Sequence, residues 1–468
     1  MANRGKTACG TTILGRPEMF GKEIGDGIWW TVGVDCGEER HRFVLLDDRG
    51  KRRSACWVRN RRDKIEEAVA QMVLALPEGV RLRVVTEGVR SLGWVVAQVS
   101  GGLGLEVWQV NPKALNHYRD LEGQPRKDDD IDAYLAARMV VFGMEGCRVA
   151  VDPRPEERAL CRLTRLRRQL TERRAEVKNR FRSLLVELAP EVVSKDWKGP
   201  AHNSKGMRAV LKRWPTFEGL EKARPSTIEK MLRSTTRCGA RCKAMTAPLK
   251  EMASRVAMAP MEREIVKMDI SMAIAELDVL DDSITKLVKE IKHRVVNHPV
   301  GVKLLDMPGE GVVTVGTEIG EVLPVARNCS EGKVATYAGL TPLSRRSGQG
   351  GKPSKLARGV NKHALRTNYL SAIAAIPASA IDAAYHQKQK ERHQGHPKPH
   401  VKATLSLARQ RFKIKYKLMT TDAVYDKEIL IASHLERRRQ LCSNPVSYTH
   451  LTLPTTIKPC RSRWSPSH

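Results

Sequence analysis

The sequence predicts an α/β domain in the first third of the chain, followed by a predominantly helical remainder. Three observations carry this. Between residues 28 and 150, short apolar strand-like runs give way to strands alternating with single helices. Two long stretches, 160–188 and 262–296, keep a helical apolar period throughout. The C-terminal third consists of helical patterns punctuated by glycine- and proline-rich turns.

Residues 1–27 carry Gly, Lys and polar residues without a period and read as a loose leader, with Met19 an alternative start. Ile28 to Val34 is a buried-strand run that ends at Asp35. His41 to Leu46 is a second strand, followed by the turn Asp47-Asp48-Arg49-Gly50, and Ser54 to Val58 is a third. Ile65 to Leu76 is helical, with Ala68, Met72 and Leu76 on one face. Leu82 to Thr86 is a fourth strand ending at Glu87, Leu92 to Val99 a helix, and Leu105 to Val110 a fifth strand closed by Asn111-Pro112. The order βββαβαβα predicts a mixed sheet flanked by helices. Asp35 and Glu87 both sit at C-terminal strand ends, where sites gather on such sheets, and they face each other if the first and fourth strands are neighbours.

The stretch Gln124-Pro125-Arg126-Lys127-Asp128-Asp129-Asp130-Ile131-Asp132-Ala133 sets four carboxylates beside two cations at the start of a helix marked by Ile131, Leu135 and Met139. Asp129 and Asp132 are three residues apart and share a face. Taken alone, the stretch is better read as a helix start, with Asp128 as cap and the other acids favouring the positive end. Placed against Asp35 and Glu87, the same acids form a four-carboxylate cluster that needs cations, and Mg²⁺ suits an all-oxygen site that also holds phosphates.

Pro153 and Pro155 close this domain. In the first long helix Leu163, Leu170, Val177 and Leu184 repeat every seven residues, Leu166, Phe181 and Leu188 fill the seam, and Arg173 and Arg174 interrupt it. In the second, Ile265, Met268, Met272, Leu277, Leu280, Ile284, Leu287 and Ile291 form the apolar stripe. An intramolecular hairpin, an oligomer seam and plain core packing all fit. The basic segment 191–258, with Trp197 and Trp214, is either a subdomain or a set of nucleic-acid contacts.

Pro308-Gly309-Glu310-Gly311 reads as a turn offering backbone N–H groups to a phosphate, as in a helix-hairpin-helix, or as an ordinary helix connection. Residues 337–352 form a glycine-rich basic loop in which Arg345 and Arg346 precede Ser347, and Lys352, Lys355, Arg358 and Lys362 follow. A serine so placed is a candidate nucleophile on phosphorus; spacing alone fits a phosphate-binding loop without chemistry better. A helix starts at His363, residues 388–400 read as a basic hinge, and Thr404 to Met419 is a final helix.

The charge balance points the same way. Lys and Arg number 82 against 52 Asp and Glu, a net charge of +30 spread over 468 residues, so a polyanion and above all nucleic acid is the expected partner. No apolar run reaches membrane-span length, and the first apolar residues are too broken for a secretory signal. The ten cysteines are scattered, which fits a reducing cytosol, and Cys238-x-x-x-Cys242 has no second pair to complete a zinc site.

Over roughly residues 30–430 the chain resembles the insertion-sequence-110 family of transposases, bridge-RNA-guided DEDD recombinases of mobile elements. The resemblance is carried by Val32-Gly33-Val34-Asp35, by Thr86-Glu87-Gly88 with Val107-Trp108-Gln109-Val110-Asn111-Pro112, and by Lys127-Asp128-Asp129-Asp130-Ile131-Asp132-Ala133. In the last of these Asp128 replaces the family's usual Thr, and Lys127 and Asp132-Ala133 set the register on Asp129. Tyr337-Ala338-Gly339-Leu340-Thr341-Pro342, Ser347-Gly348, Gly359-Val360-Asn361-Lys362 and Leu365-Arg366 match the segments around the family's serine nucleophile. The resemblance implies a RuvC-like, ribonuclease H-type domain over residues 28–150, a helical coiled-coil region over 151–300 and a C-terminal transposase domain over 301–430. It implies Mg²⁺ held by Asp35, Glu87, Asp129 and Asp132, a covalent phosphoserine at Ser347, donor and target DNA with a guide RNA as partners, and a homo-oligomer, dimer or tetramer, acting in the bacterial or archaeal cytoplasm at the nucleoid. Residues 444–468, including Val446-Ser447-Tyr448-Thr449-His450, resemble translated sequencing-adapter read-through and are left out of the fold reading. Two other functions compete: a metal-dependent, structure-specific nuclease using water, and an inactive nucleic-acid-binding remnant.

Overall fold

The computed structural model describes residues 27–88, 92–123, 128–150, 153–235, 239–343, 355–356 and 360–426. The leader and the segment 444–468 fall outside them. Residues up to Asp422 form one unit; of the second unit, from Ala423 onward, only 423–426 are described.

The N-terminal sheet has six strands: β1 (Ile28–Cys36), β2 (Arg40–Leu46), β3 (Arg52–Arg59), β4 (Val80–Thr86), β5 (Glu106–Val110) and β6 (Cys147–Val149), in the spatial order β3-β2-β1-β4-β5-β6. β1 runs antiparallel to β2 and parallel to β4, so the expected neighbours are neighbours, with Val34 opposite Thr86. β4 and β5 are parallel, and β6 closes the edge antiparallel to β5. The mixed α/β sheet predicted from the strand order is therefore present; β6, three residues long, was not foreseen.

Alternation along β1 decides which layer covers which face. Val32 and Val34 pack with Ile65 and Val69 of α1 (Arg62–Leu74) and with Val96 and Val99 of α2 (Gly93–Gly102). On the other face lie α3 (Pro112–Leu121) and α4 (Asp129–Val141). Gly33 points at α4, and a Cβ there would run into the carbonyl of Ala133. Only glycine lets the helix backbone settle this closely on the strand.

α5 (Pro155–Leu188) and α10 (Pro260–Val296) form an antiparallel intramolecular hairpin. Val177, Phe181 and Leu184 of α5 meet Ile270, Ala273, Ile274 and Leu277 of α10 in one core. Arg173 and Arg174, which interrupt the heptad, pair with Glu276 at 2.8 Å and Asp281 at 2.9 Å. The expected α10 stripe needs correction: Ile265, Met268 and Met272 are 60%, 56% and 61% exposed, because α5 and the insert take the neighbouring face. The undecided segment 191–258 is mainly helical. It comprises α6 (Lys205–Arg213), α7 (Pro225–Arg233), α8 (Gly239–Ala244) and α9 (Thr246–Ala253), whose Met207, Leu211, Ile228, Leu232 and Leu249 join the hairpin core.

The C-terminal helices are α11 (Pro299–Leu305), α12 (Val312–Glu321), α13 (Leu323–Ala326), α14 (Glu331–Tyr337), α15 (Lys362–Ala378), α16 (Ala380–Arg392) and α17 (Pro399–Thr420). The first part of the expected hinge at 388–400 is thus the end of α16. The turn 306–311 uses its polar groups internally. The Gly311 N–H donates to Thr314 Oγ1 at 2.9 Å, the Glu310 N–H to the Met307 carbonyl at 3.1 Å, and Gly309 (φ +77°) abuts the α15 backbone at Ala375. Glu310 is buried among cations: Lys415 Nζ lies 2.8 Å and Arg411 Nη2 3.2 Å from its carboxylate, and Lys415 also reaches Glu318 at 3.2 Å. No described helix is long and apolar enough to cross a membrane.

Candidate active site at the sheet edge

Asp35 lies near the end of β1, and Glu87 directly follows β4, one position past the Val34–Thr86 pair. The two carboxylates therefore stand side by side because β1 and β4 are parallel and in register. The contact between Gly33 and Ala133 brings the first turn of α4 over the same edge, and with it Asp129 and Asp132. The three acids of this turn next to Asp129 have separate jobs. Asp128 is the helix cap, its Oδ1 accepting from the Asp130 N–H at 2.8 Å, as the plain reading of the stretch expected. Asp130 turns away to Arg42 and Arg52 on β2 and β3, at 2.6 and 2.7 Å, and ties the helix to the sheet. Asp132 is buried and accepts from Arg119 Nε of α3 at 2.8 Å.

The electrostatics record how closely the acids gather. Burial pushes the Asp35 carboxyl from 3.8 up to about 6; the negative charges of Asp129, Asp132 and Glu87 push it the same way, and it shares a hydrogen bond with Asp129. The neighbouring Cys36 thiol is raised to about 12 by burial and then by Asp35 and Glu87. Among the described residues no three His, Cys, Asp or Glu side chains converge closely enough to ligate one ion. Arg119 pairs with one oxygen of Asp132. Arg119 was missed from sequence because nothing in Pro112–Leu121 distinguishes it from a solvated helix arginine.

The glycine-rich basic segment is framed rather than described. β7 (Pro342–Leu343) pairs antiparallel with β8 (Lys355–Leu356), which places Lys355 in a strand. Ser347, Arg345, Arg346, Lys352 and Arg358 lie outside the described residues, as does Lys127. Lys362 opens α15 and is exposed. The residue before it, Asn361, closes the frame. Its N–H donates to the Tyr337 carbonyl at 2.8 Å, and its Nδ2 reaches the Tyr337 hydroxyl at 2.7 Å and Glu321 at 2.8 Å. Its Oδ1 caps α15 by accepting from the His363 and Ala364 N–H groups. Glu321, buried, also holds Arg165 of α5 in a two-point pair. The sequence marked Asn361 only as part of a matching segment and gave no sign of Glu321.

Comparison with known families places the chain among the transposases, enzymes that process DNA. Residues 32–190 match the DEDD transposase model of IS110 elements, and residues 302–387 match the model described as transposase of the IS116/IS110/IS902 family. Together the two segments cover just over half of the sequence, and the chain belongs to the IS110 family of transposases. It is similar to a 43.6 kDa protein of insertion element IS110 from Streptomyces coelicolor, 24% identical over 85% of this chain and 96% of that protein. A 42 kDa protein of insertion element IS900 from Mycobacterium paratuberculosis is likewise 24% identical, over 85% of this chain and 97% of its own length. A protein assigned as the mini-circle transposase for IS117 of Streptomyces coelicolor is 23% identical over 78% of this chain and 89% of its own length.

Proposed function

We propose that this transposase is an RNA-guided DNA recombinase in which a RuvC-like sheet domain supplies a metal-binding acidic site and Ser347 supplies the nucleophile. The observation that carries the acidic site is the raised Asp35 carboxyl: its charged neighbours are Asp129, Asp132 and Glu87, so four acids share one strand edge. Such an excess of negative charge at a partly buried place is suited to a hard divalent cation, and an all-oxygen donor set favours Mg²⁺. In donor type and charge the residues fit. When bound, the ion would polarise a phosphoryl oxygen and stabilise a leaving alkoxide.

The chain's own residues do the rest. Asp35, Glu87, Asp129 and Asp132 would hold the ion, and Arg119 sets the orientation of Asp132. The Ser347 hydroxyl attacks phosphorus, forms the new P–O bond and loses its proton, while the sugar oxygen leaves and takes one up. Reversal by a different strand's hydroxyl rejoins the DNA and frees the serine. Arg345, Arg346 and Lys352 offset the phosphate charge, with Lys127, Lys355, Arg358 and Lys362 along the strand. These serine-segment roles rest on the match to the family's segments and on the frame that Tyr337 and Asn361 make for it. Donor and target DNA, a guide RNA read mainly by shape and charge, and a homo-oligomer working at the nucleoid in the cytoplasm complete the reading. The domain limits follow, at 28–150, 151–300 and 301–430.

The deciding experiment incubates the protein with guide RNA, Mg²⁺ and labelled DNA, denatures it, and maps any protein–DNA adduct by mass spectrometry. A phosphoserine–nucleotide peptide containing Ser347, absent from Ser347→Ala, is expected. Strand cleavage without an adduct would transfer the case to a water-using nuclease, and an adduct on Ser344 or Tyr337 would reject Ser347.

A further inference from the structure

A cavity of about 650 Å³ lies where the sheet domain, α5 and the C-terminal helices meet. Its volume lies within the roughly 300–1,000 Å³ of small-ligand pockets, far too little for a duplex. One wall comes from the sheet domain, with Trp94 at the start of α2 and Arg148 on β6. A second comes from α5, whose Arg158, Arg162 and Arg165 recur at four- and three-residue spacing and so line one face. The third comes from Tyr337 and Lys362, at the two ends of the frame around the glycine-rich segment.

Charge in this cavity is unbalanced in the opposite sense to the acidic edge. Among its described lining residues Glu321 is the sole acid, and Arg165 already holds both of its oxygens. Arg148, Arg162 and Lys362 add positive charge to the lining, as does the positive end of α15, and Arg162 and Lys362 are exposed. The aromatic rings are built into the cationic walls: the Arg158 guanidinium lies 5.2 Å from the Trp94 ring centre, and that of Arg148 lies 5.6 Å from Tyr337. The excess of cations over acids in the described lining calls for an anion. Flat rings backed by guanidinium groups call for a planar heterocycle. An unpaired nucleotide supplies both.

We propose that this cavity receives one unpaired nucleotide of a bound nucleic-acid strand, its phosphate met by Arg162 and Lys362 and its base by the Trp94–Arg158 and Tyr337–Arg148 walls. The proposal rests on the nucleic-acid reading above and adds to it a place where a single base is taken out of pairing. Gln109 lines the cavity too, next to the last residue of β5 and opposite Thr86 of β4, so the cavity borders the strand-end edge that carries Glu87.

The test uses the full chain and short single strands carrying one photoreactive base, 4-thiothymidine in DNA or 4-thiouridine in RNA, with fully paired duplexes as controls. Irradiation is followed by peptide mapping. Adducts on the Trp94 or Tyr337 peptides are expected from one or both single strands, and the strand that gives them identifies the source. The Arg162→Ala/Lys362→Ala double variant should lose about tenfold or more of that adduct and of single-strand affinity. Both side chains are exposed, so the variant keeps its fold and a loss is read as lost binding. Strands that bind yet crosslink only elsewhere, or an adduct yield unchanged in the double variant, would overturn the proposal and leave the recombinase reading standing. Failure of both strands to bind would overturn both.

Discussion

Among the described residues, two clusters of acids have neighbours of opposite charge. At the sheet edge Asp35 is surrounded by Asp129, Asp132 and Glu87, and its carboxyl rises to about 6. In the C-terminal helices the Glu310 side chain is fully buried, yet Lys415 and Arg411 hold its carboxyl below the usual range. Burial alone pushes both upward; the sign of the neighbours decides the outcome. The Glu310 cluster carries its own cations and ties α12, α15 and α17 together through Glu318, Ser371 and Lys415, although burial still raises the Glu318 carboxyl. Among the described residues, Arg119 alone is a direct cationic partner of the sheet-edge acids, a deficit that the proposed cation would offset.

The largest contrast should come from removing one member of each cluster. Asp35→Ala, Glu87→Ala, Asp129→Ala or Asp132→Ala should each take recombination below detection while nucleic-acid binding persists. For Asp35→Ala the thermal midpoint should stay level or rise, because repulsion is relieved. Lys415→Met should do the reverse at the other cluster, lowering stability by about 3–5 kcal/mol in chemical denaturation because Glu310 and Glu318 lose their shared cation. Glu318→Gln added to Lys415→Met should restore part of the loss; no recovery would mean that packing, not charge, holds this region.

The contact that assembles the acidic edge offers the next test. Gly33→Val should destabilise the chain by about 1–3 kcal/mol or more and abolish activity with all four acids intact, since α4 must move off β1. Unchanged activity in this variant would break the link between the strand–helix contact and the site.

Acid separates the clusters more gently. Asp35 binds a proton in the folded chain at a higher pH than in the unfolded one, so between about pH 6 and 4 the folded state holds more protons and this group's penalty fades as pH falls. Glu310 has the opposite linkage: its contribution is present above the unfolded value of 4.5 and is lost as pH falls through its lower folded value. Denaturation in chelator should therefore show Asp35→Asn more stable than the parent at pH 7, with the gap closing toward pH 5. Adding Mg²⁺ at pH 7 should raise the midpoint of the parent and leave Asp35→Asn nearly unmoved. The smallest effects should fall on the two acids turned away from the edge. Asp128→Ala loses a cap worth about 1 kcal/mol, and Asp130→Ala a partly exposed pair worth about 1 kcal/mol or less. Recombination should survive both.

The acidic edge was legible in the sequence because strands announce their ends. Asp35 and Glu87 close apolar runs, and the period through Ile131, Leu135 and Met139 separates Asp129 and Asp132 from their acidic neighbours. What escaped notice depends on partners distant in the chain. Arg119 gains meaning only when α3 lies beside α4, and Glu321 only when α12 meets both α5 and Asn361. β6 is too short to show alternation, and α6 to α9 are too short for a period to stand out among prolines and glycines. The exposure of Ile265, Met268 and Met272 shows a related limit: α10 carries apolar residues on more than one face, and periodicity does not say which face is covered.

The bond between Asn361 and Tyr337 also bears on how this family can change over time. It pins two points 24 residues apart, and β7 with β8 narrows the gap further. Once the ends are fixed, doubling the length of an intervening segment adds only about 0.6 kcal/mol of closure entropy. Added or removed residues between β7 and β8 therefore cost little in closure entropy. Length variation among relatives should concentrate in that interval, while Tyr337, Asn361 and Glu321 vary together or not at all.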